Sequence, residues 1–219
     1  MNQTDPTTAT AGSAIYGRPL LSVYDLIVLW FSNRFAWRCP TPQILDFYNR
    51  QVGAQHLDIG VGTGYFLDKC RFPTPNPAIT IVDLNANSLR ATAERIKRYQ
   101  PTSIRANVLE PLPVSTSFDS IGINYVLHCL AGNMESKAVV FDNLKPLLKP
   151  GGVVFGTTIL GRGVRHNALA RTLMRVYNAK GIFGNTEDSQ AALEQALGQH
   201  FREYQVFVVG CVAFFRGSV

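Results

Sequence analysis

Short apolar runs alternating with helix-period segments constrain the fold of this chain more than any other feature of its sequence. "AQHLDIG" is a compact apolar run that ends in a glycine turn, and "TGYFLDKC" follows it with helical character. "AITIVDL" is a second run. The segment after it, "NANSLRATAERIKRY", puts Leu89, Ala93, Ile96 and Tyr99 on one face at spacings of three and four. "TSIRANV", "FDSIGINYVL" and the strand within "KPGGVVFGTTIL" continue the series, with a helix expected over "SKAVVFDNLKPLL". Runs this short and apolar suit strands buried on both faces, and their alternation with helices predicts a parallel sheet covered on both sides. The end of the chain differs. After helical patterns in "HNALARTLMRVYNAK" and "TEDSQAALEQALGQHF", the runs "EYQVFVVG" and "CVAFFRGSV" have almost nothing between them, so they must pair antiparallel. The expected fold is α/β: a doubly wound, seven-stranded, mostly parallel sheet with an antiparallel C-terminal hairpin and a helical N-terminal cap.

Neither an internal repeat nor a linker divides the 219 residues. Residues 1–14 are small, polar and aperiodic and are expected to be disordered. Residues 15–52 are expected to form the helical cap, and residues 53–219 the core domain. Only 16% of residues are charged and 46% are hydrophobic, against roughly 25% charged in a typical soluble domain, which leaves apolar side chains for a greasy pocket. The net charge of +6 comes with no block of like charges. Its densest cluster, Arg162, Arg165, Arg171 and Arg175, reads as a solvated helix face, so no nucleic-acid partner is expected. Cys39, Cys70, Cys129 and Cys211 form no CxxC pair, which argues against a zinc site or a disulfide framework and for a reduced, cytoplasmic setting. The N-terminus lacks the basic-then-apolar order of a signal peptide. "LLSVYDLIVLWFSNRFAW" is interrupted by Asp25, Asn33 and Arg34 and falls short of the ~20 clean residues of a membrane span, so no stable membrane insertion is expected.

The chemistry is concentrated after the first strand, where a doubly wound sheet binds its ligands. Gly60, Gly62 and Gly64 let the backbone bend sharply and let a ligand approach without a Cβ in the way, and the amides opening the next helix face that ligand. A dinucleotide fingerprint would have glycine or alanine at the sixth position, where this chain has Tyr65. Asp58 stands two residues before the first glycine, giving D-x-G-x-G-x-G. Asp83 closes the second strand in "TIVDLN", where a carboxylate can accept both hydroxyls of a ribose, or alternatively cap the helix that follows.

In these features the chain resembles the class I S-adenosylmethionine-dependent methyltransferases, from about Thr41 to the C-terminus. "LDIGVGTGYF" is similar to the family's first motif, "IVDLN" to its second-strand acidic motif, "FDSIGINYVLHCL" to its fourth-strand motif and "LKPGGVVFGTTI" to its fifth. The resemblance implies a Rossmann-like core and S-adenosyl-L-methionine as cofactor, with no metal. It also implies roles. Gly60, Gly62 and Gly64 would carry the methionine part along their backbone, with Asp58 near its amino group. Asp83 would bind the ribose and Leu84 the adenine face. Asn107 and Val108 would meet the adenine edge, with asparagine departing from the family's frequent aspartate. Asn124 and Tyr125 would lie near the transferred methyl.

His128, just past the fourth strand, is the candidate general base, with packing or helix capping as its alternative role. His166 is a second choice. Cys129 is discounted as a nucleophile because adjacent helical residues point apart. The place where enzymes acting on planar nitrogens carry N/D-P-P-Y/W reads Asn124-Tyr125-Val126-Leu127. The aromatic N-terminal segment, with Tyr16, Tyr24, Trp30, Phe31, Phe35 and Trp37, suits a lid over a small apolar substrate, and Arg34 and Arg38 are candidates for an acidic group on it. The segment "YDLIVLWFSNRFAWRCPT" also resembles the leading segment of small-molecule methyltransferases of secondary metabolism. The expected activity is methyl transfer to an oxygen of a small, partly apolar molecule, by a monomer or homodimer. The alternatives are a protein, RNA or lipid-headgroup acceptor, a cofactor-binding protein without methyl transfer, and an NAD-dependent dehydrogenase.

Overall fold

A computed structural model describes residues 25–219, with side chains from residue 30 onward. The expectation of disorder over residues 1–14, and Tyr16 and Tyr24 of the proposed lid, lie outside the described residues. Among those described, a π-helix, Asp25–Ala36, leads into α1, Thr41–Gln51. Pro40 and Pro42 flank the start of α1, where a missing N–H costs nothing. Its buried residues Thr41, Ile44, Phe47 and Tyr48 form one stripe against the sheet.

The strands are β1 (Gln55–Ile59), β2 (Ala78–Asp83), β3 (Thr102–Arg105), β4 (Phe118–Asn124), β5 (Leu148–Ile159), β6 (Glu203–Val209) and β7 (Val212–Ser218). They lie in the order β3-β2-β1-β4-β5-β7-β6. The pairs among β1 to β5 are parallel, while β7 runs antiparallel to both β5 and β6. This is the expected seven-stranded sheet with its antiparallel hairpin. Strand order reverses between β1 and β4, so a crevice opens beyond their carboxyl ends.

The remaining helices are α2 (Tyr65–Lys69), α3 (Ala86–Arg95), α4 (Met134–Lys137), α5 (Val139–Leu144), α6 (Ala168–Ala179) and α7 (Gln190–His200). The single helix expected over "SKAVVFDNLKPLL" is broken into α4, α5 and a 3₁₀ turn at Lys145–Leu147. Pro146 has no N–H to continue the α-helical ladder, and the chain closes in the tighter turn there.

Alternation along the strands sorts side chains into two cores. Leu57, Ile59, Ile121, Ile123 and Phe141 pack on one face, and Phe47, Tyr48, Ile79, Ile81 and Phe155 on the other. Two polar residues of β1, His56 and Asp58, fall on the second face beneath Tyr48.

Candidate cofactor and acceptor site

The glycine turn leaves β1 with Gly60 N–H donating to Val82 O at 2.8 Å, which ties it to the end of β2. Gly60, Gly62 and Gly64 all have left-handed backbone, with φ of +67°, +54° and +73°. Their surroundings differ. A Cβ on Gly60 would lie 2.3 Å from Val126 Cγ2, and one on Gly64 would lie 2.8 Å from Thr92 Cγ2. At Gly62 a Cβ would meet nothing within 4 Å. The outer glycines are therefore packed by protein, and the middle one faces open space that a ligand could fill.

Asp83 reaches across from β2. Its Oδ2 accepts from Gly62 N–H at 3.4 Å and its Oδ1 from Asn85 N–H at 2.8 Å. Burial pushes its carboxyl above the usual range, with those amides and the Val61 amide pulling the other way. The helix-capping role is taken instead by Asn85, whose Oδ1 accepts from Asn87 N–H at 2.8 Å at the start of α3. Asp58 is buried on β1, and Tyr48 Oη donates to its Oδ2 at 2.6 Å. Its charge also contributes to the raised pKa of Asp83, so the two carboxylates border one turn.

Leu84 is half-buried after β2, and its carbonyl accepts from Arg105 Nε. Asn107 forms an Asx turn: its Oδ1 accepts from Leu109 N–H at 3.1 Å, and its Nδ2 donates to Glu110 Oε1 at 3.4 Å. Val108 is buried beside it. Asn124 ends β4. Its Oδ1 accepts from Thr157 Oγ1 at 3.1 Å, while its Nδ2 is buried with no partner among the described residues. Tyr125 follows with a φ of +58°, rare for a non-glycine residue and found mostly where function or packing enforces it. Its hydroxyl donates to Asn33 Oδ1 at 2.9 Å, and Asn33 Nδ2 donates to Thr41 Oγ1 at 3.0 Å, so the π-helix and α1 are tied to the end of β4.

His128 lies on a 3₁₀ turn, Leu127–Cys129, and is almost fully buried. Its ring meets Tyr125 and Phe183 edge-on, at centroid distances of 5.5 and 4.5 Å, and Phe183 also meets Trp37 and Tyr177. Ile159 N–H donates to His128 Nδ1 at 3.4 Å, so the neutral ring carries its proton on Nε2. Burial, helped by the charge of Lys137, pulls its pKa down to about 3. In this neutral form the ring offers Nε2–H as a hydrogen-bond donor.

His166 is engaged with Leu160 O at 2.9 Å. Cys129 is exposed, its thiol donating to Tyr125 O, so the two neighbours part as expected. Arg34 and Arg38 are both exposed, Arg34 against the Phe35 ring.

Sequence reasoning missed Tyr48, Lys137, Phe183 and Asp188. Lys137 Nζ donates to Asp188 Oδ2 at 2.6 Å and to Gly184 O at 2.9 Å, with both charged side chains fully buried. Gly184 N–H in turn donates to His128 O at 2.9 Å, which fastens the segment bearing Phe183 to the His128 turn. No signal in the sequence marks these residues, because their partners are distant along the chain.

A family model for a methyltransferase domain matches residues 57–154. The chain is 43% identical over 206 residues to the demethylluteothin O-methyltransferase of Streptomyces thioluteus, covering 94% of this chain and 90% of that protein. It is 37% identical over 213 residues to the physcion biosynthesis cluster O-methyltransferase of Aspergillus chevalieri, covering 96% of each. Among solved structures, the DhpI complex with S-adenosylhomocysteine (SAH) superposes with a TM-score of 0.71 over 97% of each chain, at 15% identity, and so shares the fold. The chain belongs to the class I S-adenosylmethionine-dependent methyltransferases. It is an enzyme, and its cofactor is S-adenosylmethionine. The open face at Gly62, the Asp83 carboxylate opposite and the unpaired Asn124 Nδ2 fit that cofactor's mixture of an aliphatic sulfonium chain and polar ends.

Proposed function

We propose that this methyltransferase acts on an oxygen of a small, partly apolar molecule whose hydroxyl is acidic enough to ionise near neutral pH, such as an enol or an activated phenol. The observation that carries the choice of oxygen is the likeness over 94% of the chain to the demethylluteothin O-methyltransferase. The aromatic cluster around His128, in which Phe183 meets Trp37, Tyr177 and the His128 ring and Tyr125 meets that ring, supports a flat apolar acceptor. The neutral His128 supports an acceptor that sheds its proton to solvent beforehand.

In this reading Gly60, Gly62 and Gly64 hold the methionine portion of the cofactor, with Asp58 at its ammonium and Asp83 on the ribose hydroxyls. Leu84 lies against the adenine, and Asn107 and Val108 meet its edge. Asn107 Oδ1 spends one lone pair on Leu109 N–H and keeps the other. Asn124 and Tyr125 line the methyl-donating end. When bound, the cofactor supplies a methyl carried on a sulfonium, which leaves as a thioether once the oxygen forms its new bond. The work of the protein is to exclude water and aim the oxygen, and alignment of this kind is worth ~7–11 kcal/mol. His128 Nε2–H orients that oxygen. Of the cap expected over residues 15–52, the described part, residues 25–52, covers the core of residues 53–219, in a cytoplasmic monomer or homodimer without a nucleic-acid partner. Among the described residues, no helix is long and apolar enough to cross a membrane.

The test is SAH release from S-adenosylmethionine across matched acceptors. Acidic enols and phenols should turn over, with rates that follow acceptor ionisation. Turnover confined to amines, or to nucleic acid, would overturn the reading.

A further inference from the structure

The polar residues of β1 are not idle core groups. Parallel register sets His56 beside Ser120 and Asp58 beside Gly122 on β4, all on the face that Tyr48 of α1 covers. A carboxylate only accepts, so the 2.6 Å contact between Tyr48 Oη and Asp58 Oδ2 spends the single hydroxyl proton of Tyr48 on Asp58. The 2.7 Å contact between the same oxygen and His56 Nε2 then needs a proton on that nitrogen. His56 Nδ1 lies 2.8 Å from Ser120 Oγ and 3.1 Å from Ser120 O. With Nδ1 accepting from the Ser120 hydroxyl, the neutral ring carries its proton on Nε2, which also lies 3.3 Å from Asp58 Oδ2. Ser120 Oγ is itself held by Gly53 N–H at 2.7 Å. The chain of bonds from His56 through Tyr48 thus ends on one oxygen of Asp58, in a dry site where such a series reinforces itself.

Gly122 makes room for this arrangement. A Cβ there would lie 2.9 Å from Asp58 Oδ2 and 3.2 Å from His56 Cε1. The other carboxylate oxygen, Oδ1, takes no hydrogen bond from the described residues, so one oxygen is fastened and one is left over.

We infer that Tyr48 and His56 are positioning residues for the amino-acid end of the cofactor, fixing Asp58 so that its free oxygen meets the ammonium. This rests on the reading that Asp58 faces that ammonium. It makes α1, which lies outside the nucleotide-binding motifs, a determinant of cofactor affinity.

The experiment is isothermal titration with two ligands, SAH and 5′-methylthioadenosine, which keeps the adenosine and the thioether but lacks the amino acid. Removal of one hydrogen bond to a charged group should weaken SAH binding about tenfold in Tyr48→Phe and leave 5′-methylthioadenosine within twofold. His56→Leu should show the same selective loss, which keeps the test open if Tyr48→Phe folds poorly. In an Asp58→Asn background, adding Tyr48→Phe should change SAH affinity by less than twofold. Equal weakening of both ligands, or additive losses in the double variant, would show that Tyr48 only supports packing and would overturn the inference. A parent protein that binds neither ligand would refute the cofactor reading itself.

Discussion

Replacing Asp188 with alanine strands the Lys137 ammonium in a site where neither side chain is exposed. Burial already pulls the Lys137 pKa below its usual value and pushes the Asp188 pKa above, and each partner partly restores the other. With the carboxylate gone, Lys137 keeps, among the described residues, Gly184 O at 2.9 Å. Breaking a buried pair in this way costs about 3–5 kcal/mol, against a total stability of roughly 5–15 kcal/mol for a domain. Urea unfolding is the assay, and the midpoint should fall while the slope stays constant. The double variant Lys137→Met/Asp188→Leu should regain most of the loss, because it buries no charge. The two stable proteins should still differ in catalysis. The pair fastens the segment that carries Phe183, so the double variant should show a raised KM for the acceptor with the cofactor KM unchanged. An Asp188→Ala protein within about 1 kcal/mol of the parent would refute the reasoning, since it would mean that water reaches the ammonium.

Three further outcomes follow from the site. His128 takes a proton only near pH 3 when folded but near its ordinary 6.5 when unfolded, so stability is lost as pH falls through that window. Between pH 7 and 4.5 this group should remove about 2–3 kcal/mol, and His128→Gln should show that much less loss in urea unfolding at the two pH values; equal losses would contradict it. Gly62→Ala places its methyl in open space and bears only the left-handed backbone cost of about 1–2 kcal/mol, so it should fold yet bind SAH at least tenfold more weakly. Gly64→Ala drives a methyl against Thr92 and should lower the melting temperature further than Gly62→Ala does, which thermal unfolding will show.

The sheet was legible because its strands are short, apolar and separated by helix-period segments, and the link between β6 and β7 leaves no alternative to a hairpin. The glycine turn and the placement of Asp83 were legible for a related reason: both are set by local backbone at the end of a strand. His128 was located, but its environment was not legible. Its pKa is set by burial against Phe183 and by the charge of Lys137, and neither neighbour can be read from "NYVLHCL". Tyr48 and Lys137 were invisible for the same reason. An aromatic on a helix looks like core and a lysine on a helix looks like surface, until tertiary packing sets Tyr48 on Asp58 and Lys137 on Asp188.

The claim on which the rest depends is that the bend at Gly60 to Gly64 and the Asp83 carboxylate together form the seat of the adenosyl cofactor. Calorimetric titration of S-adenosylmethionine into the parent and into Asp83→Ala, both shown to be folded by circular dichroism, tests it most directly. The account predicts saturable binding of one molecule per chain in the parent and a loss of roughly tenfold or more in the variant, since Asp83 would accept hydrogen bonds from the ribose. Equal affinity in the two proteins would contradict it.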